Sequence, residues 1–365
     1  MIKVLVVDDS ALVRKLFGGV LAGEADFEVQ FARNGLEALE QIGTFLPNVI
    51  TLDIHMPQMN GLECLDRIMV EHPTPVLMVS SLTAEGADAT LEALRLGAVD
   101  FVSKPEGAVS LRMETFAPVL VEKIRSAATA RLRASRRLRE KVQHRIGRAA
   151  VARNERQAGD LDPVPVAAAG SGLVLVGTST GGPPALEALL SPLPADFPWP
   201  ILIAQHMPAT FTGPLASRLD AICALRVEEV VGPVILEAGC AYLGRGDADL
   251  IVSRRSASLI AMPAPSQAGY PWHPSTNRLV RSALDHVTAS QLIGILMTGM
   301  GNDGAEAMSD LRARGGRAIA ESAETAVVWG MPGELVKAGG ADWVLPLPRI
   351  AGLLQQIVPK HAAHT

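Results

Sequence analysis

The chain is poor in cysteine: Cys64, Cys223 and Cys240 are the three in 365 residues, far apart and odd in number. They support neither a disulfide framework nor a zinc site, and a reducing cytoplasm is the expected setting. No window of 18 residues is apolar and free of charge, so no segment is expected to insert in a membrane. The N-terminal MIKVLVVDDS carries an apolar run too short for a signal peptide and leads straight into acids. The Gly-rich stretch GTSTGG at 177–182 has no lysine after it, which excludes a P-loop, and G-x-G-x-x-G is not met. One basic cluster, RASRRLREK at 133–141, has no interleaved aromatics and no helix-turn-helix pattern, so specific nucleic-acid binding is not expected. It reads first as a solvated linker helix and otherwise as an electrostatic contact with an acidic partner or surface.

The chain does have length for two cores, and 48% hydrophobic residues to fill them. In the first hundred residues, apolar runs at 2–7, 28–31, 49–52, 76–79 and 99–102 alternate with helical spacing at 11–21, 36–46, 61–72 and 87–96. That alternation predicts a parallel sheet with helices on both faces. Sites in such sheets lie at the C-terminal ends of the strands. Polar residues collect there: Asp8 and Asp9 after the first run, Asp53 ending the third, Ser80 ending the fourth and Lys104 after the fifth. Three converging carboxylates demand a cation, and oxygen ligands suit Mg²⁺. Lys104 adds the charge that lets the pocket receive a phosphoryl group on Asp53.

From Arg112 to Arg156 the composition turns to Ala, Arg and Leu, and Leu138, Val142 and Ile146 draw a thin apolar stripe on an expected long helix. A Pro/Gly/Ala-rich stretch follows and reads as flexible. A second strand–helix alternation begins at Leu173, with strands expected at 173–176, 201–205, 292–298, 318–320 and 343–345. Short runs at 227–231, 241–243, 250–252 and 259–262 suggest inserted β-hairpin pieces.

Three loops of this second half hold polar residues just past apolar strands: Ser179 in GTSTGG, His206 in AQHMP and Asp303 in MTGMGNDG. Pro183 and Pro184 can open a helix after Ser179, whose free N–H groups then face the serine. Serine, histidine and aspartate at one sheet edge can act as nucleophile, general base and orienting acid. Each alone has a plainer reading; Asp303 before Gly304, for example, could cap the next helix. The order Ser…His…Asp also differs from that of α/β-hydrolases.

VDDS at 7–10, LDIHMPQMNG at 52–61, VSS at 79–81 and SKP at 103–105 resemble a response-regulator receiver domain. The resemblance implies Asp53 as phosphoacceptor, Asp8 and Asp9 as Mg²⁺ ligands with it, Ser80 as switch hydroxyl, Phe101 at the aromatic switch position and Lys104 as the phosphate-binding lysine. His55 stands where the family supplies a ligand through its backbone carbonyl. VGTSTGGP, AQHMP, YLGRGD, LMTGMGNDGAEAM and VWGMP at 328–332 resemble the catalytic domain of the chemotaxis protein-glutamate methylesterase (CheB) family. This implies a Ser179–His206–Asp303 triad, with Thr180 and Met300 lining the site and offering oxyanion donors. It also implies hydrolysis of glutamyl γ-methyl esters on methylated chemoreceptors, with glutamine deamidation beside it and a chemotaxis histidine kinase as phosphodonor. Thr276 and Asn277 in WHPSTNRL depart from the family's R-P-S-V-D, a change expected to affect the substrate groove and leave the triad untouched.

The expected fold is α/β throughout: a flavodoxin-like five-stranded receiver over 1–120, a basic helical and Pro/Ala-rich linker over 121–170, and a doubly wound, mostly parallel methylesterase domain with a hairpin insertion over 171–362. The same chemistry in a non-motility receptor pathway, and a non-catalytic phosphorylation-dependent adaptor, remain as other readings.

Overall fold

A computed structural model describes residues 1–104, 109–132 and 172–359. The chain divides into two compact units, Met1–Asp162 and Pro163–Thr365.

In the first unit, strands β1 (Ile2–Val7), β2 (Phe27–Ala32), β3 (Val49–Asp53), β4 (Val76–Ser80) and β5 (Asp100–Ser103) alternate with helices α1 (Ala11–Ala22), α2 (Gly35–Phe45), α3 (Gly61–Glu71) and α4 (Ala84–Leu96). The sheet is parallel throughout, in the order β2-β1-β3-β4-β5. Strands covered on both faces must be apolar nearly throughout, and Val4–Val7, Val49, Ile50, Leu52 and Val76–Val79 are all buried. Each such side chain contributes about 1.5–3 kcal/mol relative to exposure. Helix α3 starts where Asn60 and Glu63 close a capping box. Its first residue is Gly61 because a Cβ there would lie 2.1 Å from the Asp53 carbonyl oxygen.

Helix α5 (Val109–Ala128) completes the unit. Leu120, Ile124 and Ala127 are fully buried, Phe116 meets Phe17 at 5.8 Å between ring centroids, and Arg125 pairs with Glu24 and Asp26. The Ala/Arg-rich stretch expected to begin a linker is therefore, as far as Ala128, the last helix of this unit. The basic cluster and the Leu138–Val142–Ile146 stripe lie outside the described residues.

The second unit begins with β6 (Leu173–Thr178), α6 (Gly182–Leu190), β7 (Ile201–Gln205) and α7 (Ala209–Ile222). Then come β8 (Arg226–Val230), β9 (Val234–Ile235), β10 (Cys240–Gly244), β11 (Asp249–Arg255), β12 (Ser258–Ala264) and α8 (Thr276–His286). It ends with β13 (Leu292–Leu296), α9 (Ala305–Ala313), β14 (Arg317–Glu321), α10 (Met331–Lys337), β15 (Trp343–Leu345) and α11 (Leu347–Ile357). Seven strands form one sheet in the order β15-β14-β13-β6-β7-β10-β8, and β11-β12-β9 form a second. Of the four runs expected as hairpin pieces, two are strands of the main sheet: β10 pairs parallel to both β8 and β7. No helix separates β8 from β10, which removed the usual sign of a parallel crossover. The connecting segment instead lends β9 to the antiparallel sheet, against β12.

Strand β6 lies at the centre, with β7 on one side and β13 on the other. The chain winds outward in both directions from there, and such a switch point opens a crevice at the C-terminal strand ends.

Candidate active site

Ser179, His206 and Asp303 follow the three adjacent strands β6, β7 and β13. Register places Thr178 beside Gln205, so Ser179 and His206 are the next residues along neighbouring strands. The Gln205 side chain joins them, its Nε2 donating to Ser179 O at 3.1 Å and to His206 O at 3.0 Å. Ser179 O also accepts from Gly182 N at 2.8 Å as α6 begins, with Pro183 in the first turn. Gly182 is fixed by crowding: a Cβ there would stand 1.9 Å from Gln205 Oε1.

His206 Nε2 and Asp303 Oδ2 are 2.8 Å apart. A carboxylate only accepts, so Nε2 carries the proton, and in the neutral ring Nδ1 bears the lone pair. Nδ1 is buried and has no hydrogen-bond partner; Ser179 Oγ is not bonded to it here. Asp303 is buried, and its oxygens also accept from Thr276 N (2.6 Å), Ser275 Oγ (3.0 Å) and Asn277 N (3.1 Å). Burial pushes the Asp303 carboxyl up, but the His206 hydrogen bond and charge, with the Asn277 and Thr276 amides, outweigh it and hold the group below the ordinary carboxylate value. It does not cap the helix after it: α9 has Gly304 at its N-cap and no side-chain cap. The amides it accepts belong to α8, where the positive helix end favours a negative charge.

Thr276 and Asn277 thus do not stand apart from the triad residues. Both give backbone N–H groups to Asp303, Thr276 is fully buried, and Asn277 Oδ1 accepts from Ala307 N at 3.0 Å. The departure therefore lies in the shell that holds Asp303, but the groups that reach the carboxylate are backbone amides, which any residue other than proline at these positions would supply.

Other neighbours gave no pattern to find. The Trp272 ring stacks on His206, 5.9 Å between centroids and 5° between planes. Asp249, wholly buried, bonds His273 Nδ1 (2.8 Å), Ser275 N (2.7 Å) and Arg278 Nη1 (2.6 Å), fixing the loop that carries Trp272 and Ser275. The preceding YLGRGD motif places Asp249 only two residues past its end.

In the first unit, Asp8, Asp9 and Asp53 offer carboxylate oxygens all within 4.8 Å of one another. Lys104 Nζ lies 2.8 Å from Asp53 Oδ2 and 3.1 Å from Asp8 Oδ2. Burial and the Asp8 charge raise the Asp53 carboxyl despite the lysine. The Lys104 ammonium loses by burial but gains more from Asp53 and Asp8 and is raised as well. Burial is the main cause at Asp53 and the neighbouring carboxylates the cause at Lys104, and three carboxylates face one lysine. An all-oxygen, over-negative set of this kind fits a hard divalent ion. Ser80 is buried, with its Oγ bonded to Thr90 Oγ1 at 2.8 Å and to Gly86 O at 3.2 Å, turned into α4. Phe101 is buried under Lys123 Nζ, 5.5 Å from its centroid. His55 is exposed, and its backbone N–H donates to Asp53.

A phosphoacceptor-type pocket in one unit and a hydrolase-type strand edge in the other define a response regulator with an enzymatic output. Residues 174–354 match the CheB methylesterase family and residues 4–115 the response regulator receiver domain. A protein-glutamate methylesterase/protein-glutamine glutaminase of Rhodopseudomonas palustris is 56% identical over 359 residues, covering 96% of each chain. One of the same description from Rhodospirillum rubrum is 49% identical, covering 97% of this chain and 95% of its own. The crystal structure of the Thermotoga maritima CheB methylesterase catalytic domain superposes with a TM-score of 0.50 at 34% identity, covering 52% of this chain and all of the other. The chain belongs to the CheB methylesterase family and is a hydrolase with a receiver domain in front. Among the described residues, no helix is long and apolar enough to cross a membrane.

Proposed function

We propose that the second unit is a cytoplasmic protein-glutamate methylesterase that hydrolyses glutamyl γ-methyl esters on chemoreceptors and releases methanol. The observation that carries this is His206 held by a buried, ionised Asp303 at 2.8 Å while Nδ1 stays unpartnered, on the strand next to Ser179. Ser179 Oγ attacks the ester carbonyl as His206 Nδ1 takes its proton. The Thr180 and Met300 amides receive the developing oxyanion. His206 then protonates the departing methanol, and water enters by the same route to free the glutamate. Asp303 keeps the tautomer and stabilises the imidazolium. A glutamine side chain presents the same carbonyl with ammonia as leaving group, so deamidation uses the same residues.

The first unit receives a phosphoryl group on Asp53 from the chemotaxis histidine kinase. Asp8, Asp9 and Asp53 would hold Mg²⁺, which supplies charge neutralisation for the incoming phosphoryl group. Lys104 would pair with that group. The Ser80 hydroxyl would leave Thr90 and Gly86 to reach it, with Phe101 as the aromatic that follows. Phosphorylation raises the esterase rate, and the reaction adapts receptor signalling.

A fluorophosphonate probe tests the nucleophile. Stoichiometric labelling of Ser179 is expected, and labelling that persists in Ser179→Ala would remove the assignment. A small-molecule phosphodonor should raise the rate in wild type and leave Asp53→Asn unchanged.

A further inference from the structure

Beneath the Ser179 loop lies a residue that contributes nothing to the proton transfers above. Thr298 follows β13 and is fully buried. Its carbonyl oxygen accepts from Ser179 N and from Thr178 Oγ1, both at 3.0 Å. Its hydroxyl donates to Thr180 O at 2.8 Å and accepts from Val328 N at 3.0 Å. Its own N–H donates to Glu321 Oε2 at 2.9 Å. Glu321, also fully buried at the end of β14, takes Thr325 Oγ1 at 2.9 Å on its other oxygen. One residue therefore ties together the side chain before the nucleophile, the nucleophile's own amide and the carbonyl after it, and a carboxylate anchors that residue to the next strand.

We propose that Thr298, anchored by Glu321, is a positioning residue for the esterase reaction; this rests on the reading of Ser179 as nucleophile. The bonds divide by task. Thr298 O fixes the Ser179 amide, and so the direction of Cα–Cβ and of Oγ. Thr298 Oγ fixes the carbonyl of Thr180, and so the plane of the peptide just after the proposed oxyanion donor. Hydroxyl and carbonyl sit on a single residue, so nucleophile and donor move together or not at all. A buried threonine that only filled space would be replaceable by valine, which has the same shape. Here valine removes the hydroxyl that Thr180 O and Val328 N bond to, and the loop is freer to shift. A displacement well under 1 Å suffices to lower rate, because attack and oxyanion binding both need near-contact geometry.

The test uses the full chain with Thr298→Val and Thr298→Ser, assayed on tritium-methylated receptor membranes after counting competent sites by fluorophosphonate labelling. Per competent site, Thr298→Val is expected to lower kcat about 10- to 100-fold with KM nearly unchanged. A boronic acid, a mimic of the tetrahedral oxyanion, should lose affinity by a similar factor in that variant. Thr298→Ser, which restores the hydroxyl, should recover most of both. Glu321→Gln tests the anchor and should show the same kcat-selective loss in smaller degree. A kcat per labelled site in Thr298→Val equal to that of wild type overturns the proposal, as does a loss that Thr298→Ser does not repair. If Ser179→Ala retains activity, the nucleophile reading itself has failed, a result separate from any outcome at Thr298.

Discussion

Replacing Asp303 with asparagine sets two consequences of the structure against each other. The carboxylate accepts two donors on each oxygen: His206 Nε2 and Thr276 N on Oδ2, Ser275 Oγ and Asn277 N on Oδ1. An amide must turn its NH₂ toward one pair. Toward Oδ2 it meets two fixed N–H groups and would force His206 into the other tautomer. Toward Oδ1 it meets one fixed N–H and a hydroxyl, and the Ser275 hydroxyl can rotate to accept. The second orientation keeps His206 Nε2 bonded to an oxygen. Asp303→Asn should then lose the charge that stabilises the imidazolium but not the tautomer. We expect a kcat loss of about 10²- to 10³-fold, or about 3–4 kcal/mol. Asp303→Ala, which removes the orienting oxygen too, should lose about 10⁴-fold. The unpaired Asn277 N–H should cost about 1–3 kcal/mol in stability. Single-turnover methanol release from the two variants decides it. Equal losses would refute the orientation argument, and an Asp303→Asn rate within tenfold of wild type would refute the stabilisation of the imidazolium by the Asp303 charge.

Acid should also separate these proteins. Asp303 is held below its unfolded value of about 3.9; its stabilisation is complete above that pH and is lost as pH falls through the lower folded value. Urea midpoints below about pH 4 should therefore fall more steeply for wild type than for Asp303→Asn. Asp53 has the opposite sign: its raised carboxyl costs stability as pH rises through the folded value. Mg²⁺ should offset that cost and raise the melting temperature of the first unit, EDTA should reverse the shift, and Asp53→Asn should blunt it; a metal-independent Tm would contradict the site. Asn277→Ala removes the side-chain acceptor of Ala307 N but keeps the amide on Asp303. Differential scanning fluorimetry should register a loss of about 1 kcal/mol, while kcat stays close to wild type.

Much of this was legible because strand-end chemistry is local. Apolar runs ending in Asp8, Asp53, Ser179 or His206 mark both the strand and the edge where its chemistry sits. The triad partners lie far apart in sequence, and only the rule that sites gather at C-terminal strand ends brings them together. That the stretch from Arg112 is helical was legible, but its place in the first unit as far as Ala128 was not, because an Ala/Arg-rich composition reads equally as linker until Leu120 and Ile124 are seen against a sheet. Runs at 227–231 and 241–243 were legible as strands, but their parallel place in the main sheet was not, because no helix separates them. Trp272, Ser275, Asp249 and Thr298 could not be read as site residues. They act by stacking or through buried hydrogen bonds set by tertiary packing, and no spacing announces either. Thr276 and Asn277 stood out as departures, but their role runs through backbone amides, to which side-chain identity is nearly silent.

The most direct test of the central claim is methanol release from methylated receptor membranes by wild type and Ser179→Ala, with and without a small-molecule phosphodonor. The account predicts release by wild type, stimulated by the phosphodonor, and a loss of at least about 10⁴-fold in the variant under both conditions. Release by Ser179→Ala at a rate near that of wild type would contradict it.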